Sequence, residues 1–182
     1  MNADEKHIIS LLDNPQTRRK GFEQVVRQYS EPLYWQVRRI VLSHEDANDV
    51  MQNVMLKAWS SLDSFRRDSK LSTWLYRIAI NESLDFVRRQ KNIAKISADD
   101  ADGAIAATLI ADRYFDGDEA AALLQEAIAR LPDVQRTVFN LRYFDDMKYS
   151  EMSRILQTSE GALKASYHIA VKKIAEFFRQ RD

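Results

Sequence analysis

This chain has almost none of the residues that interrupt helices or form covalent cross-links. Its 182 residues include no cysteine, four glycines and three prolines. The lack of cysteine excludes disulfides and thiolate metal sites, which fits a reducing compartment. Because sheets need many tight turns and tight turns need glycine and proline, the scarcity of both predicts an all-α protein.

The chain also lacks the usual marks of an enzyme or a membrane protein. Its three histidines, His7, His44 and His168, are scattered, without a glycine-rich phosphate loop or a metal-ligand cluster. No catalytic residue, metal or cofactor is therefore expected, and the chain is not predicted to be an enzyme. Residues 1–6 are polar with no apolar run behind them, and no stretch reaches the ~20 apolar residues that span a bilayer, so we expect a cytoplasmic protein.

The chain also has no net charge, since 27 basic residues balance 27 acidic ones. This balance gives no support to nucleic-acid binding. The charges are unevenly distributed, however. Residues 1–95 carry a net charge of +4 and residues 119–182 carry +1, whereas residues 96–118 carry −5. The pattern predicts two small domains, 1–95 and 119–182, joined by an acidic linker.

Apolar residues recur every three or four positions in both predicted domains, as they do in amphipathic helices. In the first domain this spacing predicts two helices that meet near Pro32, a third over about 44–61, and a fourth that starts near Ser72 as its N-cap. The polar segment 63–70 is expected to be a loop. In the second domain, Pro132 is expected to open a helix at its first turn.

The most informative local pattern lies in residues 148–178. A short amphipathic helix around 150–156 precedes the three residues Gln157-Thr158-Ser159 and a longer helix, which is the spacing of a helix-turn-helix. An ordinary helical hairpin has the same spacing, so spacing alone leaves both open. One face of the longer helix is apolar and predicted to be buried: Leu163, Tyr167, Ala170, Ile174 and Phe177. The opposite face is small and basic near its start and is a candidate DNA-reading surface, with Ser159 as the expected cap of the helix: Gly161, Lys164, Ala165, His168 and Lys172.

Three stretches together resemble one known family. Residues 46–59, DANDVMQNVMLKAW, resemble the core-polymerase-binding helix of sigma factors of the extracytoplasmic-function (ECF) group, in the sigma-70 family. Residues 71–89, LSTWLYRIAINESLDFVRR, with Phe65 before them, resemble that family's promoter-melting and −10-reading segment. Leu131-Pro132, Tyr149 to Met152 and residues 159–164, SEGALK, resemble its −35-reading domain. The blocks stand in the family's order and leave out only the linker and the first fifteen or so residues.

The resemblance implies a transcription initiation factor that binds core RNA polymerase, through the β′ clamp helices and the β flap, and promoter DNA. It implies these polymerase contacts: Asp46, Asp49, Gln52 and Asn53. It implies these −10 DNA contacts: Phe65, Arg67, Lys70, Trp74, Arg77, Asn81, Arg88 and Arg89. By the same resemblance the linker threads the RNA path of the polymerase, and an anti-sigma protein anchored in the membrane is a further partner.

Two positions depart from the family pattern. Residues 164–173, KASYHIAVKK, hold fewer arginines than is usual in this recognition helix, so fewer bidentate guanine contacts are available. Asn48 stands where an acidic residue is common. Two other functions stay open from the residues alone: a stand-alone helix-turn-helix regulator, which leaves 46–59 and 71–89 unexplained, and a helical adaptor that binds only proteins, which the basic clusters at 66–70 and 88–91 oppose.

Overall fold

The computed structural model describes residues 3–96 and 119–181, and every regular element within them is a helix. The N-terminal module (residues 3–96) contains α1 Ala3–Asp13, α2 Arg18–Val41, α3 His44–Ser60 and α4 Leu71–Ile96, with a 3-10 turn at Leu62–Ser64. The C-terminal module (residues 119–181) contains α5 Glu119–Ala129, α6 Asp133–Tyr143, α7 Tyr149–Leu156 and α8 Glu160–Arg179. The all-α prediction is confirmed, while the predicted acidic linker at 96–118 falls almost entirely outside the described residues.

The central element of the N-terminal module is α2, against which α1, α3 and α4 all pack. The predicted helix boundary near Pro32 is wrong, because α2 runs through that residue without interruption. Pro32 lies on the exposed side of α2, where the carbonyl that loses its N–H partner faces water. On the opposite side, burial of Tyr29 and Leu33 joins the two halves into one helix.

Two helix starts in this module are capped in different ways. At α3, Ser43 accepts a hydrogen bond from the backbone N–H of Asp46, as an N-cap does. At α4, the predicted N-cap Ser72 lies inside the first turn, because the helix begins at Leu71. The Leu71 side chain is fully buried, and its N–H donates to Glu5 Oε1 at 2.5 Å. A side chain from α1 thus replaces the local cap that the sequence predicted.

The sequence reasoning did not anticipate α1. Its buried residues, Ile8, Ile9 and Leu12, follow the helical spacing that would have revealed it. The backbone of α1 approaches α2 so closely at Gly21 that a Cβ there would lie 2.9 Å from the backbone nitrogen of Leu12. The absence of a side chain at Gly21 therefore sets how closely α1 packs on α2.

The C-terminal module has its own small core. Ile128 and Leu131 from the end of α5 pack with Phe139 of α6 and with Ala170 and Ile174 of α8. Pro132 lies immediately before the first residue of α6, one position earlier than predicted. The turn there is fixed by Arg136, which donates to the carbonyl of Ala129 at 2.9 Å and to Asp133 at 2.8 Å; burial lowers the pKa of this guanidinium, which Asp133 partly opposes.

The two modules contact each other through an apolar cluster, here called the junction. Ile40 at the end of α2 and Ile80 of α4 are fully buried against Val138, Leu141 and Met152 of the C-terminal module. The junction brings the C-terminal end of α2 onto α6 and brings α4 onto α7. The arrangement is therefore closed, with the two modules side by side.

Replacing Gly21 with alanine is expected to destabilise the protein by ~1–3 kcal/mol, since the added methyl group must displace the α1 backbone. Urea unfolding followed by circular dichroism measures this change. The matched control is Gly161→Ala in α8, where a Cβ would meet no atom within 4 Å and stability should be unchanged or higher. Equal stability of Gly21→Ala and the parent chain would contradict the close packing of α1.

Candidate nucleic-acid interface

The first candidate surface is the outer face of α3. Its buried side consists of Ala47, Val50, Val54 and Ala58, flanked by the half-buried Met51 and Met55. Four residues on the opposite side form one exposed patch, here called the α3 outer face: Asp49, Gln52, Asn53 and Leu56. Leu56 is 67% exposed, although the apolar spacing of this helix would place a leucine at this position on the buried side.

The start of α3 differs from its outer face. Asp46 is half-buried, and burial raises the pKa of its carboxyl, while the hydrogen bond with Ser43 opposes that shift. Asn48, where the family pattern is acidic, lies 3.2 Å from the Nε2 atom of His44. Asp46 therefore helps to cap the helix, whereas the α3 outer face is fully available to a partner.

The second candidate surface is the outer face of α4. Along this face, apolar residues give way to polar ones: Trp74 and Ile78 are buried, and the residues that continue the same face toward the C-terminus are exposed. Its exposed part, with the neighbouring arginines, is here called the α4 outer face: Arg77, Asn81, Asp85, Arg88 and Arg89. Arg88 donates to Asp85 at 2.9 Å, while Asn81 projects from the middle of the helix.

The loop before α4, residues 61–70, extends this surface and is here called the −10 loop, after the role that the sequence predicts for it. Phe65 is half-buried with its ring 5.3 Å from that of Trp74, and beside it lies a cavity of about 170 Å³. Lys70 is exposed, whereas the guanidinium of Arg67 is ion-paired with Asp13 of α1. Trp74, at 5% exposure, therefore supports Phe65 from below and presents little surface of its own.

The third candidate surface lies on the C-terminal module. The helices α7 and α8 are separated by Gln157, Thr158 and Ser159, and Gln157 takes the left-handed conformation with φ 51°. Ser159 caps α8 by accepting the N–H of Ala162 at 3.3 Å. This confirms the predicted short helix, three-residue turn and long helix.

The two faces of α8 are also as expected. Leu163, Ala170 and Ile174 are buried, and Tyr167 and Phe177 are half-buried. All six residues of the predicted reading surface are exposed, and they are here called the α8 outer face: Ser159, Gly161, Lys164, Ala165, His168 and Lys172. Small side chains at Gly161 and Ala165 would let the helix approach a groove closely, and the two lysines can meet phosphates or base edges.

The polar centre of the junction fixes these surfaces relative to each other. Arg39 of α2 bonds to Asp145 at 3.2 Å, and its guanidinium lies 4.4 Å from the centre of the Phe144 ring. Asn140 donates to the carbonyl of Arg39 at 3.2 Å. Burial raises the pKa of Asp145, which Arg39 only partly offsets, and burial raises the pKa of Tyr76 to about 12.

The described residues hold no group of three or more acidic or histidine side chains that could bind a metal ion. Within the same part of the chain, no helix is both long enough and apolar enough to cross a membrane.

Two family models match this chain. The model described as Sigma-70 region 2 matches residues 25–93, and the model described as Sigma-70, region 4 matches residues 121–174. The first covers α3, most of α2 and nearly all of α4, and the second covers the helix-turn-helix.

Known proteins are similar along most of their length. The ECF RNA polymerase sigma factor SigW of Bacillus subtilis (strain 168) is 32% identical over 156 residues, which is 81% of this chain and 83% of SigW. The ECF RNA polymerase sigma-E factor of Escherichia coli (strain K12) is 30% identical over 154 residues, which is 80% of each chain.

Two solved structures share the fold. CnrH in complex with the cytosolic domain of CnrY matches with a TM-score of 0.70 at 21% identity, over the full length of both chains. RpoE in complex with the anti-sigma factor NepR from Bartonella quintana matches with a TM-score of 0.69 at 22% identity, covering 88% of this chain and 98% of that one.

Replacing Arg39 and replacing Asp145 should affect the stability of the junction differently. Arg39→Ala leaves a mostly buried carboxylate without its partner and should favour separation of the modules by ~1–2 kcal/mol. Asp145→Asn keeps the acceptor for Arg39 and removes the buried charge, so the junction should be as stable or more stable. The chain has no cysteine, so dyes on Gln28→Cys and Gln180→Cys report the separation by energy transfer.

The pH dependence has a defined sign. The pKa of Asp145 is higher in the closed form than in the unfolded chain, so its ionised form opposes closure above that pKa. Lowering the pH through the raised pKa should therefore favour the closed form in the parent chain and have less effect in Asp145→Asn. If Asp145→Asn opened the modules as much as Arg39→Ala, the ion pair would be a net stabilising contact and this account would be wrong.

Proposed function

This chain belongs to the ECF group of the sigma-70 family, whose members are transcription initiation factors that bind RNA polymerase and direct it to promoters, and we propose that its three outer faces divide that work. The α3 outer face binds core polymerase, the α4 outer face and the −10 loop read the −10 element, and the α8 outer face reads the −35 element. The observation that carries this proposal is that all three faces are exposed while the opposite sides of the same helices form the cores.

The α3 outer face suits a protein partner. An exposed apolar residue, Leu56, lies among Asp49, Gln52 and Asn53, and an apolar anchor within a polar rim is the usual anatomy of a protein interface. We propose that this face meets the β′ clamp helices, with Asp46 acting through the helix start. The C-terminal module would meet the β flap.

The α4 outer face and the −10 loop suit single-stranded DNA. Arg77, Arg88 and Arg89 can neutralise phosphates, and Asn81 can pair with a base edge. Extruding a base from the stack costs a few kcal/mol, which contacts in a pocket must offset. The cavity beside Phe65, with Arg67 and Lys70 on the same loop, is the place we propose for that base.

The closed arrangement has to open for both elements to be read together. The elements lie about 25 base pairs apart, which is ~85 Å of B-form DNA. In this structure, Thr73 of α4 donates to Glu151 of α7 at 2.9 Å, and Glu151 lies only nine residues before Glu160, where α8 begins. Because α4 packs directly on α7, the short helix that precedes α8, the α4 and α8 outer faces do not reach across that distance, and we propose that promoter binding requires the junction to separate.

The junction is built in a way that allows this separation. Two of its buried oxygen atoms, Asn140 Oδ1 and Asp145 Oδ2, have no hydrogen-bond partner in the closed form. Each such atom costs about 1–3 kcal/mol when buried and recovers its hydration on opening. This cost offsets part of the gain from burying Ile40 and Ile80.

We propose that the protein acts in the cytoplasm and that an anti-sigma protein anchored in the membrane regulates it. The support is that the structurally similar RpoE was solved with the anti-sigma factor NepR, and CnrH with the cytosolic domain of CnrY. Such a partner would act by holding the closed arrangement.

Run-off transcription with bacterial core polymerase on a promoter library tests the whole proposal. The parent chain should give promoter-specific transcripts, and Asp49→Ala with Gln52→Ala should lower them about tenfold or more through weaker polymerase binding. The matched control is Gln28→Ala with Glu31→Ala, which has the same three-residue spacing on the exposed side of α2 and should leave transcripts unchanged.

The contrary results are distinct from one another. Duplex promoter binding without polymerase, together with no transcripts, would favour a stand-alone helix-turn-helix regulator. Polymerase binding that does not depend on DNA, again without transcripts, would favour an adaptor. Equal activity of the Asp49/Gln52 variant and its control would reject the α3 outer face alone.

The α8 outer face makes a separate prediction about salt. If Lys164 meets a phosphate, Lys164→Ala should weaken binding of holoenzyme to −35 duplex DNA and lower the slope of log affinity against log salt by about 0.9. Arg179→Ala, at the far exposed end of α8, is the control and should leave the slope unchanged. Fluorescence anisotropy over a salt series measures it; equal slopes for all three proteins would remove Lys164 from the DNA contact.

A further inference from the structure

The helix α1 lies before the part of the chain that the region 2 model matches, which begins at residue 25. It nevertheless contacts both the −10 loop and the first residue of α4. We propose that α1 positions the −10-reading surface, with Glu5 and Asp13 as its positioning residues, so that promoter opening depends on a helix that belongs to none of the three outer faces. The inference rests on the function proposed above and concerns the same −10 surface.

The first step is that α1 has a fixed position. Ile8, Ile9 and Leu12 are at most 7% exposed in the core of the N-terminal module. The contact at Gly21 brings the two backbones together, and Thr17 Oγ1 donates to the carbonyl of Leu11 at 2.8 Å. Because α1 is fixed on α2 in this way, it can hold the −10 loop and the start of α4 in place.

The second step is the contact of α1 with α4. Glu5 is 5% exposed, and its Oε1 atom accepts the N–H of Leu71 at 2.5 Å, at the N-terminus of the helix that carries the whole α4 outer face. The same side chain lies near Tyr29, whose pKa burial raises, with a smaller contribution from Glu5. A carboxylate at this position accepts from a backbone N–H that has no partner within the helix, and the positive end of the helix dipole stabilises its negative charge.

The third step is the contact of α1 with the −10 loop. Asp13, the last residue of α1, is ion-paired with Arg67, a non-glycine residue held in the left-handed conformation with φ 61°. Next to it, Arg18 bonds to Asp63 at 3.0 Å and donates from Nε to the carbonyl of Leu12 at 3.2 Å. These two pairs flank the cavity beside Phe65, so one side of the loop is attached to α1 directly and the other through Arg18, the first residue of α2.

The consequence concerns ordering. A loop that captures a base must be ordered at the moment of binding, and each residue ordered then costs about 1–2 kcal/mol of backbone entropy. Because α1 holds the loop, the loop is ordered when the protein folds, and this entropy cost does not weaken the capture of a base. Loss of the attachment should therefore weaken promoter opening and leave polymerase binding unchanged, because the α3 outer face has no contact with Glu5 or Asp13.

The test uses the full chain bound to core polymerase. Promoter opening is followed by the fluorescence of 2-aminopurine placed in the −10 element, and polymerase affinity is measured by competition with the labelled parent chain. Glu5→Ala should lower the equilibrium constant for promoter opening by about tenfold, the usual effect of losing a helix cap. Glu5→Gln retains an oxygen that accepts from Leu71 and should restore most of the opening.

Asp13→Asn tests the loop attachment at an exposed position where unfolding is not expected. It should lower opening by about two- to fivefold, in line with a partly exposed ion pair. If Asp13 acts through Arg67, the Asp13→Asn effect should disappear in an Arg67→Ala background. Lys6→Ala, on the exposed side of α1, is the matched control and should behave as the parent chain.

The opposing results are separable. Normal opening by Glu5→Ala and Asp13→Asn would overturn the inference while leaving the proposed function intact. Parallel losses of opening and polymerase affinity in Glu5→Ala would also overturn it, because they would indicate a general loss of folded protein. A parent holoenzyme that opens no promoter would remove the proposed function, and this inference with it.

Discussion

The structure depends on the continuity of α2 through Pro32. A proline inside a helix costs about 3 kcal/mol, whereas fully burying Leu33, Val37 and Ile40 contributes about 1.5–3 kcal/mol for each side chain, so burial wins. The half before the proline holds α1 at Gly21, and the half after it carries Arg39 and Ile40 to the junction. A break at Pro32 would separate the half of α2 that holds α1 from the half that reaches the junction.

The parts of this fold that follow from local spacing could be predicted. The start of α3 at His44, the turn at Gln157 to Ser159 and the two faces of α8 all depend on residues within one or two helical turns. The failures share a different cause. Ser72 is not the cap of α4, because Glu5, 66 residues before Leu71, takes that role. Pro32 is tolerated because of tertiary packing, which the spacing of apolar residues does not reveal.

The candidate sites divide in the same way. Most residues named from the sequence are exposed on one of the three outer faces, because exposure on a helix follows from its period. Trp74 and Arg67 differ, since one lies beneath Phe65 and the other is paired with Asp13. Leu56 was missed for the opposite reason: an apolar residue within a helical pattern is assigned to the core, and only the packing of α3 places it outside.

The junction explains how one chain can be compact and still serve two distant DNA elements. A purely apolar contact of this kind would resist opening, because every separated side chain would expose its surface to water. Here Ile40 and Ile80 share the contact with the charged pair Arg39–Asp145 and with the incompletely bonded Asn140. When the junction opens, the polar groups gain hydration and the apolar groups lose burial. The favourable free energy of hydration therefore offsets part of the cost of exposing the apolar groups. The closed form is therefore stable enough to exist and weak enough for a larger binding surface, such as a polymerase with its promoter, to separate.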